Sequence, residues 1–220
     1  MKISPYILFS LLLGSCSADD LVESKTKDNV ASYQVVVTLD WNENIHPSDL
    51  GPFPGGAHFS PLIGSFHLDE SSFFVDKGLA SPGMEAMAET GATSQLANEI
   101  QAQIEMGSAT KLIIADRGSG STGKITLNPG ETNGDFAFFS MVSMIAPSPD
   151  WFIAVQNIAL KDADGSWLET IEVPFTTWDA GTDDGAVFTA ANQDSQPQGS
   201  IVRISGNQNK PLGFVRLIRE

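Results

Sequence analysis

Short apolar segments separated by turns rich in glycine and asparagine recur along most of the chain, and this pattern constrains the fold more than any other feature. In the clearest segment, Val35, Val37 and Leu39 alternate with Gln34 and Thr38, as expected for a half-buried β-strand. Further strands are predicted over 111–115, 124–127, 137–145, 152–160, 167–175, 201–204 and 214–218. Regularly spaced short strands of this kind predict a mainly β protein with an antiparallel β-sandwich fold.

Two short helices are predicted within this β-rich chain. Ser81 can cap a helix over 82–88 that begins with proline, and apolar residues at near helical spacing predict a second helix over 94–106. The segment 42–57 contains three prolines and three glycines, so it is predicted to be a long irregular connection. Connections of that length often take part in binding.

Residues 1–15 have the order of charged, apolar and small residues that is typical of a signal peptide. The apolar run over 5–13 is too short for a membrane-spanning helix, which needs about 20 residues. It ends in small residues directly before Cys16, and these last four residues resemble the lipobox of bacterial lipoproteins. We therefore expect Cys16 to be lipidated and to anchor the chain to a membrane. A secretory signal without lipidation, which leaves a soluble exported protein, is the alternative.

The polar segment 16–31 shows little periodicity and is predicted to be a tether. The remaining residues, 32–220, are enough for one sizeable core and show no internal repeat, so we expect a single domain. Together with the lipid anchor, this organisation predicts an exported protein that is held at the outer membrane or at the cell surface.

Acidic residues outnumber basic residues by 27 to 12, which gives a net charge of -15. This charge would repel phosphate backbones, so we expect no nucleic-acid partner. It suits a divalent cation, although a solvated acidic surface is the commoner explanation for acidity alone. Cys16 is the single cysteine, so the predicted domain has no disulfide and no thiolate for zinc or for nucleophilic attack.

Two segments resemble known ligand-binding motifs without matching them. Residues 118–124 have the glycine and lysine spacing of a phosphate-binding loop, but Ile125 follows where a serine or threonine is needed, and the segment continues as a strand. Residues 161–165 resemble the start of an EF-hand loop but lack its final glutamate, and a hairpin turn explains them better. The histidines lack paired metal spacing and no serine lies in a nucleophile elbow, so we expect no catalytic residues and no enzyme.

Two acidic motifs are predicted to meet at one end of the sandwich. An Asp-Gly turn should join the strand over 152–160 to the strand over 167–175 as a hairpin. In a symmetric hairpin, the residue before the first strand lies beside the residues after the second strand. Asp150 should then be a neighbour of Thr177 and Asp179.

A third aspartate can join this pair. Gly181 allows the chain to bend back, so the carboxyl group of Asp183 can approach Asp150 and Asp179. Mutual repulsion would raise the pKa values of the three carboxyl groups unless a cation lay between them, and oxygen ligands in flexible loops favour calcium (Ca²⁺) over transition metals. The alternative is that all three side chains point into water from separate loops.

Five segments occur in a fixed order along the chain: HFSPLIG at 58–64, GLAS at 78–81, AETG at 88–91, SPDWF at 148–152 and WDAGTD at 178–183. In order and spacing, these segments resemble the spondin N-terminal domain of the F-spondin and mindin type. Their apolar residues, Phe59, Leu62, Trp151 and Trp178, are predicted to lie in the core.

This resemblance implies a C2-like β-sandwich that binds calcium outside the cytoplasm and takes part in attachment. It also implies that Asp150, Asp179 and Asp183 are the metal ligands. We therefore expect a lipid-anchored recognition or adhesion module whose partner is an envelope protein or glycan. A structural envelope protein in which calcium only stabilises loops is the alternative. The animal proteins carry disulfides and further modules that are not found here. Their receptors therefore cannot be assigned to this chain.

Overall fold

The computed structural model describes residues 29–68, 73–204 and 210–220. The predicted signal peptide and Cys16 lie outside these residues. The strands are β1 (Val30–Asp40), β2 (His58–Phe59), β3 (Ile63–His67), β4 (Ala109–Ile114), β5 (Ser119–Gly120), β6 (Thr122–Asn133), β7 (Phe138–Ala146), β8 (Trp151–Ala159), β9 (Thr170–Pro174), β10 (Thr176–Asp179), β11 (Val202–Arg203) and β12 (Gly213–Arg219). The helices are α1 (Pro82–Thr90) and α2 (Ser94–Glu105), and Ser48–Leu50 forms a 3-10 turn.

The first sheet has four antiparallel strands in the order β6-β1-β12-β9. Its central strand β1 runs antiparallel to β12, with Tyr33 opposite Arg219 and Leu39 opposite Gly213. The side chains of Tyr33, Val35 and Leu39 are buried on the inner face, as their alternation requires. β1 begins at Val30, so it includes the last two residues of the segment assigned to the tether.

The second sheet has the order β11-β10-β8-β7, and the far edge of β7 pairs with β2 at one end and with β3 at the other. β2 pairs in turn with β5, and β3 pairs with β4. One face of this sheet packs on the first sheet and the other packs on α1 and α2, which explains why β7 is an almost continuous run of buried residues. The molecule therefore has three layers.

The helices are fixed to the second sheet by apolar contacts and by capping. Met84 and Met87 of α1 and Ile100 of α2 are fully buried against that sheet. The Ser81 hydroxyl accepts from the Met84 N–H at 3.2 Å and donates to Glu99 Oε2 at 2.6 Å, which ties the start of α1 to α2. In the described ranges, neither helix is long and apolar enough to cross a membrane.

The predicted fold class is confirmed, because the chain forms an antiparallel β-sandwich with two helices close to the predicted positions. The pairing of the strand over 167–175 was wrong. The turn at 162–165 does form, but β9 then crosses to the first sheet and pairs with β12. Only β10, which follows β9 directly, returns to pair with β8.

The burial pattern explains this crossing. Ile171 and Val173 pack on the core, whereas Glu172 between them is exposed, which suits a sheet with one face in water. In β10, Thr177 and Trp178 are both buried, which suits the second sheet with its two covered faces. Phe175 is buried between the two strands, where the chain passes from one sheet to the other.

Candidate metal centre and binding cleft

The two acidic motifs meet where β8 begins and β10 ends. Trp151 lies opposite Asp179 in the β8–β10 pair, and the N–H of Ala180 donates to the carbonyl oxygen of Asp150 at 3.2 Å. The predicted neighbours of Asp150 were therefore close but shifted, since its backbone partner is Ala180 and not Thr177. The crossing of β9 between sheets changes the register that a symmetric hairpin would give.

Gly181 turns the chain back over Asp150, as predicted. Its φ of +73° is a left-handed conformation that favours glycine. A Cβ atom at this position would also lie 2.6 Å from the carbonyl carbon of Gly199, so the turn is closely packed against a second loop. This turn brings Thr182 and Asp183 above the carboxyl group of Asp150.

Asp150 is completely buried and holds this loop through one of its two carboxyl oxygens. Its Oδ2 accepts from the Thr182 N–H at 2.7 Å, from the Thr182 hydroxyl at 3.2 Å and from the Asp183 N–H at 3.2 Å. Its Oδ1 is buried and has no hydrogen-bond partner among the described residues. Burial raises the pKa of Asp150 above its usual range, although these hydrogen bonds oppose the shift.

Asp179 is held by one backbone and one side-chain donor. Its Oδ1 accepts from the Gly181 N–H at 2.8 Å, and its Oδ2 accepts from the indole N–H of Trp151 at 3.1 Å. Burial, followed by the charge of Asp150, raises the pKa of Asp179 from 3.8 to about 6. The two carboxyl groups therefore repel each other in a partly dehydrated place.

Asp183 is also buried, but both of its oxygens accept backbone hydrogen bonds. Oδ1 accepts from the Gly185 N–H at 2.7 Å, and Oδ2 accepts from the Gln193 N–H at 2.8 Å. Asp183 thus joins its own loop to the segment around Asp194, with which it forms an isolated β-bridge. Its charge acts on both Asp150 and Asp179, which places it in the same cluster.

The carboxylate oxygens are of a type that binds a hard cation, but they do not form a complete coordination sphere. Across residues 29–68, 73–204 and 210–220, no three His, Cys, Asp or Glu side chains are arranged as a group of metal ligands. Carboxylate oxygens are the ligands that calcium prefers, and the buried Oδ1 of Asp150 accepts no hydrogen bond from the part of the chain that the structure describes. The four carboxylate oxygens of Asp179 and Asp183 each accept one hydrogen bond, so each keeps a lone pair for a cation, whereas Oδ2 of Asp150 is fully used.

Sequence reasoning missed one acidic residue near this cluster. Glu89, in the last turn of α1, lies near Thr182, whose hydroxyl donates to Asp150. Burial raises its pKa, and the charges of Glu85, Asp194 and Asp150 add to that effect. Glu89 lies in the AETG segment of the family resemblance, which was the available signal for it.

An aromatic cluster joins the long connection after β1 to the site. The ring of Phe188 lies 5.2 Å from that of Trp41 and 4.8 Å from that of Trp151, which in turn binds Asp179. His46 stacks on Trp41 and accepts its indole N–H at 3.2 Å, so this histidine has a structural role. The core assignments of Phe59, Leu62, Trp151 and Trp178 are confirmed by their burial.

A cleft of about 490 Å³ opens beside the three aspartates. Its walls include Asp179 and Asp183 on one side and Arg203 of β11 on another. Arg203 is exposed, and its strand pairs with the end of β10. The cleft therefore presents carboxylates and a cation to solvent at the end of the sandwich.

Comparison with known proteins agrees with this architecture. A model of the Spondin_N family matches residues 31–213, which is most of the chain. The chain belongs to the Spondin_N family. The resemblance noted from the sequence motifs is therefore confirmed.

Several members of the Spondin_N family are similar to this chain. Spondin-2 of Homo sapiens is 30% identical over 179 residues, which cover 81% of this chain and 54% of that protein. Spondin-2 of Rattus norvegicus is 27% identical over 205 residues, covering 92% and 62%. Spondin-1 of Gallus gallus is 27% identical over 178 residues, covering 78% and 21%. The chain thus spans little more than half the length of the Spondin-2 relatives and about a fifth of Spondin-1.

Proposed function

We propose that this chain is an exported recognition module whose binding loops are organised by one calcium ion (Ca²⁺). Asp150, Asp179 and Asp183 would hold the ion. The observation that carries the proposal is the buried Oδ1 of Asp150, which accepts no hydrogen bond from any described residue. The charges of Asp150 and Asp183 also act on Asp179, so the three carboxyl groups lie in one cluster. An unpartnered buried carboxylate oxygen is costly, and a bound cation would satisfy it.

The side chains around the cluster would position the loops for a partner. A bound Ca²⁺ supplies the positive charge that offsets repulsion between the carboxylates. Asp150 fixes Thr182 and Asp183 through its Oδ2. Trp151, in the neighbouring strand β8, orients Asp179 through its indole N–H. Loops that are ordered before a partner arrives lose less conformational entropy on binding.

Recognition rather than substrate turnover is favoured by the form of the site. The cleft lies among loops at the end of a rigid sandwich and offers both carboxylates and Arg203. Such loops are suited to binding. Lipidation of Cys16 would hold the module at the outer membrane or cell surface, where its partner would be an envelope protein or glycan.

Calorimetric titration of the purified domain with CaCl₂ tests the metal centre. We expect one dominant site with a Kd of about 0.1–1 mM, as in extracellular modules, and its loss in Asp179→Asn. Asp164→Asn is the matched control, because Asp164 is exposed in the turn at 162–165. No binding by the wild type, or unchanged binding by Asp179→Asn, would refute the assignment.

A pull-down from intact cells, with and without a calcium chelator, tests recognition. We expect a partner that is retained only with calcium and that is lost with Asp179→Asn. Calcium binding without any calcium-dependent partner would instead support the structural alternative, in which the ion only stabilises loops.

A further inference from the structure

A second cleft, which we call the edge cleft, lies between the margins of the two sheets. It measures about 640 Å³, with residues 115–120 on one wall and 122–127 on the other. The first wall includes β5, which pairs only with β2 among the described strands. The second wall is the first half of β6, which pairs only with β1 among them. The edge cleft is therefore bordered by two strand edges whose outer sides have no β partner within the described residues.

The charge of the edge cleft is opposite to that of the chain as a whole. Arg117 and Lys124 line it and are exposed, and neither forms an ion pair or a side-chain hydrogen bond within the described residues. Asp116 is the one acidic residue on its walls. The cleft thus has a local positive excess in a chain of net charge -15.

One polar group on the glycine-rich wall also lacks a partner among the described residues. The Ser119 hydroxyl oxygen is buried, has no hydrogen-bond partner among the described residues, and belongs to a residue that lines the cleft. Gly118 and Gly120 flank it and leave the backbone unshielded by side chains. This is the glycine-rich segment that resembles a phosphate-binding loop, and the structure shows it as strand and turn without a following helix.

We propose that the edge cleft binds an extended peptide segment with one acidic side chain, which adds as a strand to the outer edge of β6. Main-chain hydrogen bonds to an open edge are a common basis for peptide recognition. Arg117 and Lys124 would bind the carboxylate of the peptide. A long polyanion is disfavoured because the net charge of the chain would repel most of its length.

The probe is the fluorescein-labelled peptide Ser-Thr-Val-Glu-Val-Thr-Ser, and its counterpart with Gln in place of Glu is the control. Fluorescence anisotropy is measured in EDTA, so the result is independent of calcium and of the function proposed above. We expect the Glu peptide to bind about tenfold more tightly than the Gln peptide, as one charge-assisted contact allows. Amide resonances of 122–127 should shift in NMR spectra when the Glu peptide binds.

Variants of the chain locate the binding. Arg117→Gln and Lys124→Gln should each weaken binding of the Glu peptide about tenfold, whereas Lys111→Gln, a change of an exposed lysine outside the cleft walls, should not. Gly120→Val should abolish binding, because Gly120 lines the cleft and a valine side chain would occupy the space of the peptide. The fold should tolerate the change, since a Cβ atom there makes only an ordinary contact, 3.8 Å from the Thr122 carbonyl oxygen. Gly55→Val, at a position with open space, is its control.

Four results would overturn the proposal. They are equal affinity for the Glu and Gln peptides, NMR shifts outside the cleft, stronger binding of a sulfated oligosaccharide than of the Glu peptide, and wild-type binding no tighter than that of Gly120→Val. In the last case, the positive charges at this open edge would only protect it from aggregation.

Discussion

The buried carboxyl group of Asp150 gives the sharpest test of the metal centre. Asp150→Asn keeps an oxygen in the place of Oδ2, so the hydrogen bonds from Thr182 and Asp183 can persist. The change removes the negative charge and the unpartnered Oδ1. The variant should therefore keep its fold while it loses its affinity for calcium.

The magnitude follows from ligand linkage. Calcium at about ten times its Kd stabilises the folded state by RT ln 11, or about 1.4 kcal/mol. For a domain of this size, that free energy raises the Tm by about 3–6 °C. The wild type should show this increase between EDTA and 5 mM CaCl₂, and Asp150→Asn should show none. In EDTA, the stability of the variant should be close to that of the wild type, because the loss of the buried charge offsets the cost of burying the amide NH₂ in the place of Oδ1.

Thermal melts followed by circular dichroism measure both effects, with Asp164→Asn as the control that keeps the calcium shift. An Asp150→Asn variant that still gains 3 °C or more with calcium would refute the role of Asp150 as ligand. A variant that is unfolded in EDTA would refute the account of its hydrogen bonds.

Three further outcomes are expected. In EDTA, the free energy of unfolding should fall by about 3 kcal/mol at most as the pH rises from 4 to 6. The raised pKa of Asp179 causes this fall, because near pH 5 the folded state keeps a proton on Asp179 that the unfolded state has lost. Asp179→Asn should flatten this pH profile, as measured by urea denaturation. Gly181→Ala should cost about 1–3 kcal/mol in the same assay, since its φ is +73° and a Cβ atom would meet Gly199, whereas Gly55→Ala should be nearly neutral. Cys16→Ser should move the protein from the membrane fraction to the soluble fraction of its host, as measured by immunoblotting.

For each of these three predictions, one result would contradict it. Stability that rises with pH between 4 and 6 would show that Asp179 is not protonated in the folded state near pH 5. Equal stability of the two glycine variants would show that the turn at Gly181 is not constrained. A Cys16→Ser protein that stays in the membrane fraction would refute the lipid anchor.

The elements that local patterns specify were predictable from the sequence. β1 was predicted because its apolar residues alternate, and α1 because Ser81 and Pro82 mark its start. The pairing of β9 was not predictable from the turn at 162–165, because that turn fixes only the residues next to it. The partner of β9 is β12, more than 40 residues away in sequence, and the choice depends on which sheet has a face in water.

In the candidate site, too, local motifs were predictable from the sequence and contacts between distant segments were not. Asp150, Asp179 and Asp183 were found because they lie in two short motifs joined by neighbouring strands, and the structure brings them into one cluster. Glu89 was not assigned, because α1 reaches the cluster only through the packing of helices on the second sheet. The hydrogen bonds that occupy Asp183 also depend on the segment around Gln193, which no local pattern connects to it.

The direction of β1 determines how the molecule would be presented to its surroundings. This strand starts at Val30, in the last two residues of the segment assigned to the tether, and ends beside Trp41. The aromatic neighbours of Trp41 reach Trp151 and the aspartates. Eleven residues of strand put about 30 Å between these two ends. A lipid at Cys16 would therefore be joined to the domain at the end of β1 that lies farther from the aspartates, with the binding loops at the opposite end of that strand. Because β12 runs antiparallel to β1, a fluorophore attached after Glu220 would report on distance to the bilayer and would not obstruct those loops.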